Sequence, residues 1–450
     1  MNILKATFYK NDVSPLLKLA IPLILTELIE SAAPFFGTMF LAELGQAELA
    51  AGALVRGLFF ALMATIWGIL TAITVLVAQK HGENNEKAVS QILRDGIILG
   101  LLLIPPAFLL LWYAAPLFLL FGQDQAAVAL AQDYLRALAW GLLPDFMTVV
   151  LVHFIIGLGH TRISLIFMLC WVPIAIFLNY VLIFGVFGLP KLGIAGIGWG
   201  LTASYWITVS GLIVYLITSK TYKHYLYSAL SASPTRYLKE LLQIGVPMGS
   251  MYFLEVGFFF VLTLIMGLIG EIQLAATQIV MQYLVLLTGV VFSIASAVTV
   301  RMGHKIGEKD TAGANSASQA GVFLSATFML IIAICYFLIP EWFIAVDLDV
   351  TNPENSQLIH YTKQFFIACA IFQLFEAARI SLFGSLRALK DTNFTLLASV
   401  LGFWIIPVPI AYGLYQIGLG GVGIWWGMAC GAACSAALLS WRYRIKIRSY

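Results

Sequence analysis

Twelve apolar stretches, each longer than 20 residues, follow one another through this 450-residue chain, at about 15–41, 49–79, 95–120, 134–158, 162–185, 194–218, 240–268, 274–300, 318–340, 361–386, 393–415 and 420–440. Roughly 20 helical residues cross a bilayer core about 30 Å thick, so each stretch is long enough to span it. In lipid a spanning segment must satisfy its backbone hydrogen bonds within protein, which leaves helices or closed barrels. The runs lack the two-residue alternation of barrel strands. The chain therefore reads as an all-α integral membrane protein of twelve transmembrane helices. Composition agrees: 61% of residues are hydrophobic and 10% charged, with a mean hydropathy of +0.94, against about 25% charged in soluble domains. Little chain is left for a soluble domain, which excludes most soluble enzymes and nucleic-acid binders. A net charge of +3 is no nucleic-acid signal, because membrane orientation itself places Lys and Arg along one face. The opening MNILKATFYKNDVSPLLK lacks a short apolar core with a small-residue cleavage site, so the first span is expected to be retained. The five cysteines, Cys170, Cys335, Cys369, Cys430 and Cys434, all fall in apolar runs and read as reduced packing residues.

The chain repeats itself. Leu16-Leu-Lys-Leu-Ala-Ile-Pro22 returns as Leu241-Leu-Gln-Ile-Gly-Val-Pro247, Gly45-Gln-Ala-Glu-Leu-Ala-Ala51 as Gly270-Glu-Ile-Gln-Leu-Ala-Ala276, and Gly82-Glu83 as Gly307-Glu308, all at an offset of 225. The end of the fourth span, Gly157 to Thr161, matches Ala388 to Thr392 at an offset of 231. Two six-helix lobes of like orientation are expected, an N-terminal one over 1–219 and a C-terminal one over 240–450, joined by a cytoplasmic linker at 220–239. With the N-terminus inside, basic residues divide about 20 to 3 in favour of inner connections, the outer three being Arg136, Lys191 and Lys363; that bias places both termini in the cytoplasm.

Acids within spans are costly and mark pathways, at about 2–3 kcal/mol each on insertion scales. Four lie near span middles: Glu30, Asp145, Glu255 and Glu376. The repeat relates them, since 30 plus 225 is 255 and 145 plus 231 is 376, so each half carries one acid on its first helix and one on its fourth. They can serve as ion sites or as hydrogen-bonding struts between helices. Glu27, one turn before Glu30, is a further ligand or the side chain of a wet inner vestibule. Arg379, three residues after Glu376, either pairs with it or reaches towards the cytoplasmic interface. Among mid-span aromatics, Tyr252, Phe259, Tyr283 and Phe372 are candidates to line a cavity for a lipophilic cation, with packing as the alternative for each. No HExxH, GxSxG or Walker-type loop occurs, so active transport must draw on an ion gradient and no cofactor is expected. The glycine-rich stretches Gly193–Gly200 and Gly418–Gly427 read as short outer turns and close helix contacts rather than phosphate cradles.

In order and at these spacings, the Leu19-Ala-Ile-Pro22 opening, Gly45 to Ala51, Val77-Ala-Gln-Lys-His-Gly82, Gly157-Leu-Gly-His-Thr-Arg162, Asn179-Tyr-Val-Leu-Ile-Phe-Gly185 with Leu192-Gly-Ile-Ala-Gly196, and Gly384-Ser-Leu-Arg-Ala-Leu-Lys-Asp-Thr392 resemble the multidrug and toxic compound extrusion (MATE) family, from about Leu16 to Trp441. Within it the chain looks most like the NorM-like branch. The resemblance implies a two-lobed antiporter of the bacterial inner membrane. It would export organic, mostly cationic drugs and toxic compounds by alternating access, in exchange for Na⁺ or H⁺. It places the cation-coupling acids at Glu255 and Glu376, which would also be the metal ligands if the ion is Na⁺. Two departures stand out. Gly37 holds the position where members commonly carry Asp, and Phe372 stands where the NorM-like pattern has Tyr. The expected protein is a monomeric transporter rather than an enzyme, with small organic cations and the lipid bilayer as partners and no nucleic acid. A lipid-linked precursor flippase of the same superfamily is the alternative; it would need a basic cavity.

Overall fold

The computed structural model describes residues 12–231 and 234–449; two of the roughly 20 inner basic residues, Lys5 and Lys10, lie outside them. The described residues form helices and turns with no strand. In chain order the helices are α1 (Ser14–Glu30), α2 (Ala32–Leu44), α3 (Gln46–Leu70), α4 (Ala72–Gly82), α5 (Glu86–Trp112), α6 (Ala115–Leu120), α7 (Gln125–Ala139), α8 (Leu142–Gly157), α9 (Thr161–Phe184), α10 (Ala195–Thr218), α11 (Lys223–Leu230), α12 (Leu238–Ile269), α13 (Glu271–Gly307), α14 (Thr311–Leu338), α15 (Pro340–Ile344), α16 (Ser356–Ala388), α17 (Thr392–Ser399), α18 (Pro407–Leu414) and α19 (Gly420–Lys446). Among the described residues ten continuous helical runs are long and apolar enough to cross a membrane, and α7 with α8, bent by 53°, makes an eleventh. The last run, Thr392–Ser449, has 58 residues, more than twice a single crossing. It breaks at Gly418, where φ is +92°, a left-handed value suited to glycine. It thus covers the last two of the twelve expected spans, and the chain is a multi-pass membrane protein.

The repeat reappears in the backbone. Gly45 and Gly270 start their helices with φ of 148° and 160°. Lys80 pairs with Glu83 and Lys305 with Glu308, each at 2.8 Å. The next residues, Asn84 and Lys309, both take positive φ, 54° and 61°. Asn85 and Asp310 then cap the following helices by accepting from Ala88 N–H at 3.0 Å and Gly313 N–H at 2.8 Å. A side-chain oxygen at this position satisfies an amide that the helix itself leaves without a partner. At the second offset, His160 N–H donates to Ile155 C=O and Asp391 N–H to Leu386 C=O, closing the fourth helix of each half the same way.

Two compact units emerge, one from Leu25 to Gly249 and the other from the residues up to Ile24 together with Ser250 onward. The Asp95 carboxylate helps to hold the first of these units together. It is buried, accepts from the Arg236 and Tyr237 amides at 2.8 and 2.7 Å, and is paired with Arg94 at 3.0 Å. The end of the linker is thereby fixed to α5. Gly245 and Gly249 also lie so close to the Ile69 and Thr65 carbonyls that a Cβ at either would collide with backbone.

Within the second unit α16 is the axis. Of its most apolar window 72% is buried, against 22–33% for most other spans, and it packs against α13, α14 and α19. Most other spans therefore turn the larger share of their surface outward, as lipid contact requires. Polar groups on α16 are held inside the unit.

Candidate functional site

Three charged side chains meet in the second unit. Arg379 lies one turn after Glu376 on α16, and its guanidinium grips that carboxylate with two bonds, Nε to Oε2 at 2.8 Å and Nη2 to Oε1 at 2.6 Å. Its third nitrogen, Nη1, donates to Glu255 Oε1 at 2.8 Å and to Ser399 Oγ at 3.1 Å, and the Ser399 hydroxyl in turn donates to Glu255 Oε1 at 2.9 Å. All three charged residues are buried, Arg379 to 1% exposure. The fork of an arginine matches a carboxylate edge to edge, and the other planar face of this one rests on the Phe403 ring at 4.8 Å, within cation–π range. Of the two sequence alternatives for Arg379, pairing is the one observed.

Local structure explains the convergence. Glu255 sits mid-way along α12, and Ser399 ends α17. A π-helical turn, Val400–Ile405, follows, bringing Ser399 and Phe403 to the same guanidinium. Such turns add a residue to the helix and often occur at functional positions. This one is fixed by Trp404 Nε1 donating to Leu254 C=O at 3.1 Å and by Ser435 Oγ donating to Ala398 C=O at 3.0 Å.

A second arginine is buried nearby. Arg387, at 2% exposure, stacks on Phe383 at 4.2 Å and is hydrogen-bonded to Tyr252. It lies within electrostatic reach of Glu255. Its Nε and Nη2 have no hydrogen-bond partner among the described residues. By its place near the end of an apolar run, Arg387 reads from the sequence as one of the inner basic residues. Its spacing of eleven from Glu376, three helical turns, was the available signal that both occupy one face of α16.

The remaining candidates divide. Tyr252, against Phe292 and Phe383, and Phe259, against Phe403, border the charged cluster. Tyr283 donates to Phe343 C=O at 2.8 Å, and Phe372 is enclosed in the apolar core of the unit; neither joins the cluster. In the first unit Glu27 is exposed and Glu30 half-buried, while Asp145 is buried with Oδ2 lacking a partner. Glu30 lies within electrostatic reach of both, and Tyr205 of Glu30 and Asp145. The repeat mate of Arg379 is Thr148, whose hydroxyl donates to Pro144 C=O at 2.8 Å, so no arginine stands at that place in the first half. His153 contacts Thr74 Oγ1 through Nδ1 at 3.0 Å, and Arg56 donates to Thr38. The cysteines are free, Cys369 buried and Cys170 and Cys430 exposed.

The MatE family model matches residues 22–181 and 247–413, most of both halves. The chain belongs to the MatE family. Among its relatives, the probable multidrug resistance protein NorM of Burkholderia mallei is 33% identical over 431 residues, covering 95% of this chain and 92% of that one. A NorM of Burkholderia vietnamiensis named as a multidrug resistance protein is 31% identical over 96% and 94%. Solved structures agree in fold. An outward-facing multidrug resistance MATE transporter of the MOP superfamily superposes with a TM-score of 0.87 at 18% identity, covering 98% of each chain. The eukaryotic MATE transporter AtDTX14 gives 0.84 at 19%, also covering 98% of each.

Proposed function

We propose that the chain is an ion-coupled antiporter that exports organic cations across the bacterial inner membrane by alternating access, acting as a monomer and as a transporter rather than an enzyme. The observation that carries this is the meeting of Glu255 and Glu376, buried mid-span acids on matched helices of the repeat, in a member of the MatE family whose relatives are named for multidrug resistance. Two carboxylates sharing one site repel each other and are relieved by a bound cation or by a basic side chain, which links ion uptake to rearrangement of the cluster. An elementary charge moved through 100 mV supplies about 2.3 kcal/mol. The acids Glu30, Asp145 and Glu27 place carboxyl oxygens in the first unit, acceptors that suit positively charged substrates there.

The test is efflux of tetraphenylphosphonium, a lipophilic cation, from proteoliposomes under an imposed ion gradient. Glu255→Gln and Glu376→Gln should insert and purify yet lose gradient-driven efflux, while Glu30→Gln keeps a measurable part. Full activity in Glu255→Gln with complete loss in Glu30→Gln would move the coupling site to the first half. One observation favours the flippase reading: the two buried arginines, Arg379 and Arg387, are groups that could hold a pyrophosphate. Each has an acid within electrostatic reach, which favours the exporter. Transport of anionic lipid precursors with no transport of tetraphenylphosphonium would reverse that choice.

A further inference from the structure

We propose that Arg379 sets the identity of the coupling ion: its guanidinium fills the place between Glu255 and Glu376 that a sodium ion would need, so the site takes up a proton and refuses Na⁺. This rests on the coupling role proposed for the two acids. Sodium is a hard cation that binds where several oxygen lone pairs converge on one point. Here the convergence point of both carboxylates and of Ser399 is taken by N–H donors, at 2.6–3.1 Å from both Glu376 oxygens, Glu255 Oε1 and Ser399 Oγ.

Charge gives the same answer. The cluster sets two acidic side chains, Glu255 and Glu376, against two basic ones, Arg379 and Arg387. A neutral cluster has no net field with which to draw a metal cation out of water. Of the elements packed on α16, α13 carries Tyr283 and Arg301 at the two ends of its stretch 284–300, and α14 carries Cys335 and Tyr336. From α12, Tyr252 faces Arg387 beside Glu255. The turn 399–403 and the stretch 284–300 of α13 contain no titratable side chain. On α19 the nearest such groups are the thiols of Cys430 and Cys434, which are at least partly exposed.

A proton needs no vacant coordination sphere. Taken from water onto the Glu255 carboxylate, it forms one O–H bond and disturbs only the single Arg379 contact there. The two bonds from Arg379 to Glu376 stay intact. Ser399, which now donates to Glu255, can turn its hydroxyl and accept from the new O–H. Protonating Glu376 instead would break the bidentate pair. The cluster thus alternates between neutral and singly positive, with Glu376 as the anchor of Arg379 and Glu255 as the carrier.

The test uses the purified full chain, with radiolabelled Na⁺ binding in detergent and tetraphenylphosphonium efflux in proteoliposomes under separately imposed pH and Na⁺ gradients. The wild type should show no saturable Na⁺ binding and should follow the pH gradient alone. Arg379→Gln, which frees the oxygens and leaves both acids, should raise Na⁺ affinity by about tenfold or more, the equivalent of ~1.4 kcal/mol. Adding Glu255→Gln to it should abolish that gain. Arg379→Lys keeps the charge and should still refuse Na⁺; with the wild type it decides the matter if the Gln variant does not fold. Saturable wild-type Na⁺ binding that Glu255→Gln removes, or a folded Arg379→Gln that binds no more Na⁺ than wild type, overturns the proposal. Failure of the coupling role looks different: pH-driven efflux persisting in Glu255→Gln would take the carrier role from this acid, whatever the Na⁺ measurements show.

Discussion

Removing Arg379 without replacing its polarity leaves the buried carboxyls of Glu255 and Glu376 without their basic partner, and loss of one partner from a buried ion pair costs about 3–5 kcal/mol. Arg379→Leu should therefore lower stability in detergent by that amount, read as a shift in chemical unfolding. The two acids should differ. Glu376 receives two bonds from the guanidinium and Glu255 one, so Glu376→Gln should destabilise more than Glu255→Gln; the opposite order would contradict the bonding described. At this scale the sequence is legible where partners share a helix. Glu376 and Arg379 stand three apart, a spacing that brings side chains together on any helix. It is silent where they do not. Ser399 is 144 residues from Glu255, and nothing local marks a serine at a helix end as a partner for an acid in another span. Arg387 misleads for the same reason. Near the end of an apolar run it looks like an interfacial basic residue, and only the packing of Tyr252 and Phe383 shows that it is enclosed.

Asn85 and Asp310 do the same work at the starts of α5 and α14, each bonding the amide three residues on. Replacement of either by Ala should cost about 1 kcal/mol, while Asp310→Asn should keep the cap. Asp310 also carries a pH signature. The Gly313 N–H first, and then the Lys305 ammonium, hold its carboxyl below the usual carboxylate range. A group whose folded value lies below its unfolded one stabilises the fold above the unfolded value, about pH 4 for Asp. That contribution fades as pH falls further, through the folded value. Unfolding of Asp310→Asn, compared with wild type between neutral pH and pH 3, should lack this component. The caps also explain how well helices could be read from the sequence. Hydropathy finds the lipid-embedded part, so the third span was expected at 95–120, whereas the helix runs Glu86–Trp112. Its start is set by the Asn85 cap, and Pro116 begins the separate short helix α6. The fourth span, expected as one piece at 134–158, is two helices meeting at 53°, a bend that periodicity does not record. The repeat, by contrast, was fully visible, because glycines, prolines and acids recur at fixed offsets whatever the helices between them do.

For the whole molecule the open quantity is which side of the membrane each connection faces. Six spans per half is an even number, so each half begins and ends on one side, and the linker 220–239 shares that side with both termini. We propose from the excess of Lys and Arg on these connections that this side is the cytoplasm. Ser228, exposed on α11, and Glu354, exposed in the loop before α16, then lie on opposite faces, Glu354 outside. The experiment is reaction of single cysteines with a membrane-impermeant maleimide in intact cells. The native Cys170 and Cys430, both exposed, are first replaced by Ser so that background labelling is low. Glu354→Cys should react in intact cells, and Ser228→Cys only after the membrane is opened. Reaction of both from the same side would mean an odd number of crossings between residues 228 and 354 is wrong. That interval holds α12, α13 and α14, three crossings, so the result would reject the span count itself rather than only its orientation. Reaction of Ser228→Cys alone in intact cells would instead keep the count and invert the protein, placing both termini outside.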